Sequence, residues 1–404
     1  VGSVPNTSDF DLVVDGNQTD IADVDISGET LVLPVASGLF PGDEINLSYT
    51  PGASPLQRAE GTDAEALNDS EIFFNIPVGT TPFAVVTANN KIYVSNSDSD
   101  NVSVIDTSDD RVVATISVGA TPTYMSVVAD KVYVNSTSGT VSVINTDTDT
   151  VIETITTDAP SFPYYSAAAG TKIYVSDSDK VTIISSLTDA IVSAPTVDLT
   201  PYYVTAVGQK LYANIGNNTV AVLDGVSNNH LADISVGVSP YYSLAKGDKL
   251  YVNNSDGDSV SVINTGTDTV VQTIVVGDKP TYSASVGTKL YVGNYDAGTV
   301  SVINTDTGTV VGTITVGTNP HYMVSVGEKV YVSNYESDSV SVINSITDTV
   351  VATVDVGTNP FYLASFGSKI YVANTASGNV TVFDTTRVSS QLPNLISLTT
   401  NSSS

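Results

Sequence analysis

A tripeptide of lysine, an aliphatic residue and tyrosine recurs eight times, beginning at Lys91, Lys131, Lys172, Lys210, Lys249, Lys289, Lys329 and Lys369, in steps of 38 to 41 residues. A chain with this period must build near-equal units. A repeat of about 40 residues filled with short strands rather than helices is the mark of a β-propeller, in which each repeat supplies one four-stranded blade.

The strands can be read within each repeat. Between Val316 and Gly357, "HYMVSV", "KVYVSN", "SVSVIN" and "VVATVDV" are β-branched or apolar runs of strand length, read here as period-two alternation. Gly, Asn, Asp and Ser clusters separate them, as turns require. The third strand reads VSVI from Val102, Val141, Val260, Val300 and Val340, and in diverged form from Val181, Val220 and Val380, so eight third strands match eight second strands. After the last third strand no fourth of the usual kind follows, whereas "IFFNIPVG" (Ile72 to Gly79) stands alone before the first full repeat. The expectation is an eight-bladed ring in which this N-terminal strand closes the last blade and removes exposed sheet edges. Seven blades would require discarding one copy, and no copy is poor enough to discard.

The repeat from Lys91 to Pro122, "KIYVSNSDSDNVSVIDTSDDRVVATISVGATP", resembles the YVTN-type β-propeller repeats of archaeal and bacterial cell-surface proteins, S-layer components among them. The resemblance spans roughly residues 72 to 386 in motif, spacing and strand order. It implies a fold and a cell-surface setting more than an activity, because propellers host many functions.

Charge points the same way. The chain carries 43 acidic against 14 basic residues, a net charge of -29. Such a surface repels nucleic acid and suits a protein bathed in salt or divalent cations. Cysteine and tryptophan are absent, which excludes disulfides and Cys-ligated metals or haem. No stretch reaches the roughly 18 continuous apolar residues of a membrane helix. The chain starts at Val1 without a signal-like segment, as a mature exported product, or equally a trimmed chain, would.

Residues 1–71 stand outside the repeat. "FDLVVDG", "IADVDISG", "TLVLPVASG" and "EINLSYTPG" read as strands of an antiparallel sandwich. From the Pro-Gly-Asp turn at Pro41 through "SYTPG" to "GTDAEAL", this stretch resembles the Ig-like SwmB-type repeats of bacterial surface proteins, departing from them at Arg58-Ala59-Glu60. The resemblance implies a pair of leading strands that this stretch lacks. An Ig-like sandwich also takes about 100 residues. The expected fold is therefore all-β: an eight-bladed propeller over residues 72–387, preceded by a small Ig-like sandwich (1–71) without its first strands. The tail, 388–404, has no blade to join.

Within that tail "LPNLISLTTN" looks like an opening strand of the same Ig-like family, which makes Leu392 to Thr400 a candidate donor for the incomplete sandwich of the next subunit. Leu392, Leu395, Ile396 and Leu398 would meet an acceptor containing Phe10, Leu12 and Val14. The alternation is imperfect, because Asn394 shares a face with Leu392, Ile396 and Leu398. A Ser-rich disordered linker, or closure in cis within a longer alternating chain, are the competing readings of the tail.

Other residues are candidates for binding. Tyr124, Tyr165, Tyr203, Tyr242, Tyr282, Tyr322 and Tyr362 each lie two positions after a proline or its equivalent, with Ala84 in the first repeat. Opening the innermost strands, they should ring one channel mouth and offer stacking surface to a sugar or partner, or else simply pack between blades. Asp98, Asp100, Asp256 and Asp258 alternate as calcium-loop ligands do but lack the closing bidentate Glu, so turn chemistry explains them equally. Asn-x-Ser/Thr sequons occur at Asn6, Asn17, Asn46, Asn68, Asn101, Asn135, Asn217, Asn253, Asn379 and Asn401. They permit glycosylation without requiring it. The two histidines, His230 and His321, fall at non-corresponding positions, and no catalytic signature occurs.

Together these readings predict a non-enzymatic extracellular protein with no cofactor beyond a weak Ca2+ expectation. Its expected role is a subunit of a filament or surface layer, polymerising with itself head to tail. The alternative is a surface adhesin that binds glycans or other surface proteins at the tyrosine-rimmed mouth. No nucleic-acid partner and no membrane span are expected.

Overall fold

The computed structural model of the chain describes residues 75–157, 165–197 and 200–386 in full. Elsewhere it describes only the backbone of the strand segments Phe10–Val14, Asn17–Gln18, Asp25–Ser27, Thr30–Val32, Ile45–Tyr49, the first residues of Ile72–Pro77, and Ile396–Ser397.

Eight four-stranded antiparallel blades form an all-β propeller. The first blade runs Pro82–Ala88, Lys91–Asn96, Asn101–Asp106 and Arg111–Ser117 from inside to outside, and the remaining blades follow the same meander. In the eighth, Pro360–Phe366, Lys369–Asn374 and Asn379–Asp384 receive their outer strand from Ile72–Pro77, with Val380 opposite Ile76 and Asn379 opposite Pro77. The ring is thus closed by main-chain hydrogen bonds between the two ends of the repeat array, as expected. Those bonds must break before the ring can open.

The expected alternation holds less well. Second and third strands bury nearly every residue, as in Lys91–Asn96 and Asn101–Asp106, whereas outer strands such as Arg111–Ser117 are mostly exposed. The physical reason is that a blade's middle strands are covered by neighbouring blades on both faces, so neither face meets solvent and the polar residues there, such as Asn294 and Ser301, are buried and hydrogen-bonded. The core consequently lies between blades. Tyr212, Val220, Val222 and Ile234 of the fourth blade pack against Leu250, Val252 and Ile263 of the fifth, and equivalent clusters recur around the ring.

The Lys-x-Tyr repeat now has a mechanical meaning. Lys91 Nζ and the Tyr93 hydroxyl reach across to the next blade and donate to the two carboxylate oxygens of Asp149, at 2.6 and 2.7 Å. The same two-pronged grip holds Lys131 and Tyr133 on Asp189, Lys210 and Tyr212 on Asp268, Lys289 and Tyr291 on Asp348, and Lys369 and Tyr371 on Asp110. Each Asp occupies the left-handed position of the turn between third and outer strands, with φ of 50 to 55°. Only Gly, Asn and Asp sit there readily, and of these only Asp carries two acceptor oxygens. Elsewhere the grip is reduced: Asn228 and Gly308 occupy that turn position in the fourth and sixth blades, and Lys329 donates to the Thr385 carbonyl.

A second repeated device explains the Val-Gly that ends the outer strands. Gly277 lies over the buried Asn294 side chain, and a Cβ there would stand 2.7 Å from the amide nitrogen. That amide donates to Thr299 and Ser301, fixing the turn between second and third strands.

Removing one carboxylate of the staples tests their weight. Asp149→Ala strands a part-buried lysine and a buried phenol, and should lower unfolding stability by ~2–4 kcal/mol, as for other broken buried charge-assisted pairs. Asp306→Ala, an exposed turn residue of the same type, should change stability by less than about 0.5 kcal/mol. Thermal melts of the two variants compare the effects directly.

Candidate functional site

Seven of the eight innermost strands begin at a proline, the third blade's at Ser166, and each commits its first residues to the axis of the ring. Rather than rimming an open mouth, the seven expected tyrosines fill the axis with mutual contacts. Successive ring centroids stand 4.7 Å (Tyr124–Tyr165), 3.9 Å (Tyr165–Tyr203), 4.4 Å (Tyr203–Tyr242), 4.9 Å (Tyr242–Tyr282), 4.9 Å (Tyr282–Tyr322) and 3.8 Å (Tyr322–Tyr362) apart. Tyr362 and Tyr124, at 5.9 Å, close the circuit past the first blade, where Ala84 is buried and supplies no ring. Across the axis the Tyr124 and Tyr282 hydroxyls share a hydrogen bond of 2.7 Å.

Tyr124 and Tyr282 are buried and the other five half-buried. Burial pushes the phenols of Tyr165, Tyr203, Tyr282, Tyr322 and Tyr362 well above the ordinary tyrosine value. The cause is the cost of placing a phenolate among other rings instead of in water. These tyrosines therefore form a packed plug in which rings meet one another tilted or edge-on, and stacked only at Tyr322–Tyr362, where a sugar-stacking mouth is one expectation from the sequence.

A second aromatic tier, not foreseen from the sequence, sits one residue earlier on the same strands. Phe83 meets Tyr124 edge-on at 5.2 Å and Phe361 at 4.7 Å, and His321 stacks on Phe361 at 4.0 Å. The signal was present in the residues just before each axial tyrosine. It was obscured because the same position also holds Thr123 and Thr281. Burial lowers the His321 pKa to about 4, opposed by a hydrogen bond with the Phe361 backbone, so the imidazole is a neutral packing element near pH 7.

The four aspartates of the calcium reading are each occupied in a turn. Asp98 accepts from the Thr81 hydroxyl (2.6 Å), Asp100 from the Thr121 N–H (2.8 Å), Asp256 from the Ser239 hydroxyl (2.5 Å) and Asp258 from the Lys279 N–H (2.9 Å). Asp98 and Asp256 tie back to the start of their own blade, and Asp100 and Asp258 to the start of the next. Among the described residues, no group of three or more His, Cys, Asp or Glu side chains is placed to hold a metal.

Two sequons are corrected by burial. Asn135 and Asn253 are fully buried, and Asn253 donates to the Thr281 carbonyl and Ser283, so neither can carry a glycan in the folded chain. Asn101 and Asn379 are half-buried and accept from Asn96 and Asn374. Asn217 is exposed at a turn. The sequon side chains of Asn6, Asn17, Asn46, Asn68 and Asn401 lie outside the described residues.

Of the assembly residues, Phe10, Leu12 and Val14 lie on Phe10–Val14, which pairs antiparallel with Asn17–Gln18 and Ile45–Tyr49. Ile396 lies elsewhere. The segment Ile396–Ser397 runs parallel between two strands of its own chain, with Ile396 opposite both Leu31 of Thr30–Val32 and Ile72 of Ile72–Pro77. It therefore enters a different sheet from Phe10–Val14. That sheet is continuous with the eighth blade, in the order Asp25–Ser27, Thr30–Val32, Ile396–Ser397, Ile72–Pro77, Asn379–Asp384, Lys369–Asn374, Pro360–Phe366. Leu392, Leu395 and Leu398 lie outside the described residues.

No protein-family model and no curated protein matches the chain. Solved structures do. The computationally designed protein Ika8 shares 13% identity at a TM-score of 0.67, covering 78% of this chain and 100% of that one. BamB from Moraxella catarrhalis shares 13% at 0.63, over 77% and 100%, and the hydrazine synthase of Kuenenia stuttgartiensis 19% at 0.54, over 76% and 97%. At such identities the likeness shows the fold, a β-propeller, and nothing of activity.

Two titrations check the plug. The raised phenols hold their protons above the unfolded value of about 10. Their stabilising effect is complete below that pH and falls as pH rises beyond it. Absorbance of phenolate should therefore show the axial tyrosines ionising only together with alkaline unfolding. His321 has the opposite sign: its contribution is complete above about pH 6.5 and is lost as pH falls through about 4. His321→Phe should flatten the acid limb of the stability curve, measured by denaturant midpoint.

Proposed function

We propose that the chain is a structural subunit of an extracellular filament or surface layer, akin to YVTN-type surface propellers, that polymerises head to tail by exchange of its C-terminal strand. Residues 1–71 would form the incomplete Ig-like sandwich that accepts it. The observation that carries this reading is the pairing of Ile396–Ser397 between Thr30–Val32 and Ile72–Pro77. A strand from one end of the chain completes a sheet made by the other end, and it does so from an interior position flanked on both sides. Within one molecule the arrangement is self-satisfied. Exchanged between molecules it keeps the same main-chain bonds while making donor and acceptor different surfaces, which generates an open chain rather than a closed dimer.

Two further features suit such a role. Ile72–Pro77 is shared by the eighth blade and the N-terminal sheet, so the two parts are joined through one strand rather than a loose linker. The net charge of -29 favours a setting with screening salt or divalent cations, without which close-packed subunits would repel. An adhesin using the axial tyrosines draws less support, because their rings already contact one another around the axis.

Deleting residues 389–404 tests the proposal. The truncated chain should keep the propeller's melting transition yet lose polymers seen by electron microscopy and light scattering, and a synthetic peptide of residues 389–404 should cap growth of the full chain. Assembly that persists after truncation, or a full chain that stays monomeric at every concentration and salt, would sink it.

A further inference from the structure

The staple between the third and fourth blades is incomplete in an informative way. Lys172 Nζ donates to Asn228 Oδ1 and to the Gly225 carbonyl, both at 2.6 Å. At five other interfaces the residue in the Asn228 position is an aspartate, whose second oxygen takes the tyrosine hydroxyl. An asparagine has a single acceptor oxygen, and the lysine has it. Tyr174, with 4% of its surface exposed, has no hydrogen-bond partner for its hydroxyl among the described residues.

The unmatched hydroxyl borders a cleft of about 230 Å3 between the two blades, lined also by Lys172, Gln209 and Gly225. Part of that room exists because Gly225 has no side chain: a Cβ there would stand 3.3 Å from the Tyr174 hydroxyl. The nearest carboxylate, Asp224, is turned to its own loop, where it accepts two backbone N–H groups at 2.8 and 2.6 Å. The lysine's hydrogen bonds thus go to neutral oxygens alone, with Asp224 acting on its charge only from a distance, and the hydroxyl of an otherwise buried tyrosine faces the open cleft. One carboxylate would meet both donors.

We propose that this cleft is a binding site for a small carboxylate, whose oxygens take the Tyr174 hydroxyl and the Lys172 ammonium as the aspartates do at the other interfaces. The molecule supplies its own internal control, since the same lysine-tyrosine pair grips a carboxylate five times over within 2.5 to 2.7 Å. Nothing in this site depends on polymerisation.

Titrating the full chain with sodium acetate by calorimetry, at an ionic strength where the Debye length is about 8 Å, tests the assignment. Wild type should show saturable binding of one acetate, and acetamide, which keeps the shape without the charge, should bind at least about tenfold more weakly. Tyr174→Phe should weaken acetate binding by about tenfold while leaving the fold intact. Asn228→Asp should abolish it and raise the melting temperature, because the built-in carboxylate then occupies the site. Absence of saturable acetate binding in the wild type overturns the proposal, as does equal binding of acetamide. So does unchanged acetate binding in Tyr174→Phe and Asn228→Asp.

Discussion

The bond on which the ring depends is the reach of one blade's lysine and tyrosine to the next blade's aspartate. A propeller has no interior other than the seams between blades, so whatever fixes the seams fixes the fold. Apolar packing between faces is non-directional and would tolerate sliding. The staple is directional: two donors of fixed spacing meet two oxygens of one carboxylate at the edge of the packed layer, in part-buried surroundings that exclude most competing water. Desolvation and the carboxylate together hold the phenols of Tyr93, Tyr133 and Tyr371 above their ordinary range, which keeps the donor proton in place.

The same constraint accounts for where the repeat varies. The acceptor sits at a left-handed turn position, which favours aspartate, asparagine or glycine, and all three occur. Aspartate completes the grip, glycine leaves the lysine to a backbone carbonyl, and asparagine satisfies half of it. At Gly308 the side-chain amide of Gln272 moves in and donates to the glycine carbonyl at 2.7 Å, so that seam is filled from within. At Asn228 no such substitute arrives, and a cleft remains.

On the axis a different economy of space operates. Eight inner strands converge, and seven of them bring a phenol to the same level. Seven rings in mutual contact leave the eighth place to Ala84. The axis thereby becomes a second core, with the Tyr124 and Tyr282 hydroxyls bonded to each other across the centre. Away from the axis, Ile396–Ser397 of the C-terminal tail lies within the sheet that joins the N-terminal strands to the last blade.

Periodicity made the fold legible. Eight copies of Lys-x-Tyr and of the third-strand motif counted the blades, and the orphan "IFFNIPVG" foretold the closing strand, because strand pairing follows from counting edges. Other features depended on distances the repeat does not encode. The partner of each Lys-x-Tyr is 53 to 59 residues away, or 259 to 262 at the ring closure, so the aspartates looked like ordinary turn residues. Buried sequons at Asn135 and Asn253 looked like any others, since a three-residue motif carries no information on which face of a middle strand is covered. The sequence by itself determined the number of blades, their strand order and the means of closure, all of which are written in local pattern and repeat count. The tertiary structure alone decided that the tyrosines plug the axis and that the tail strand pairs within its own chain. It also decided that one seam lacks an oxygen, because each of these is set by what arrives from a neighbouring blade or the opposite end of the chain.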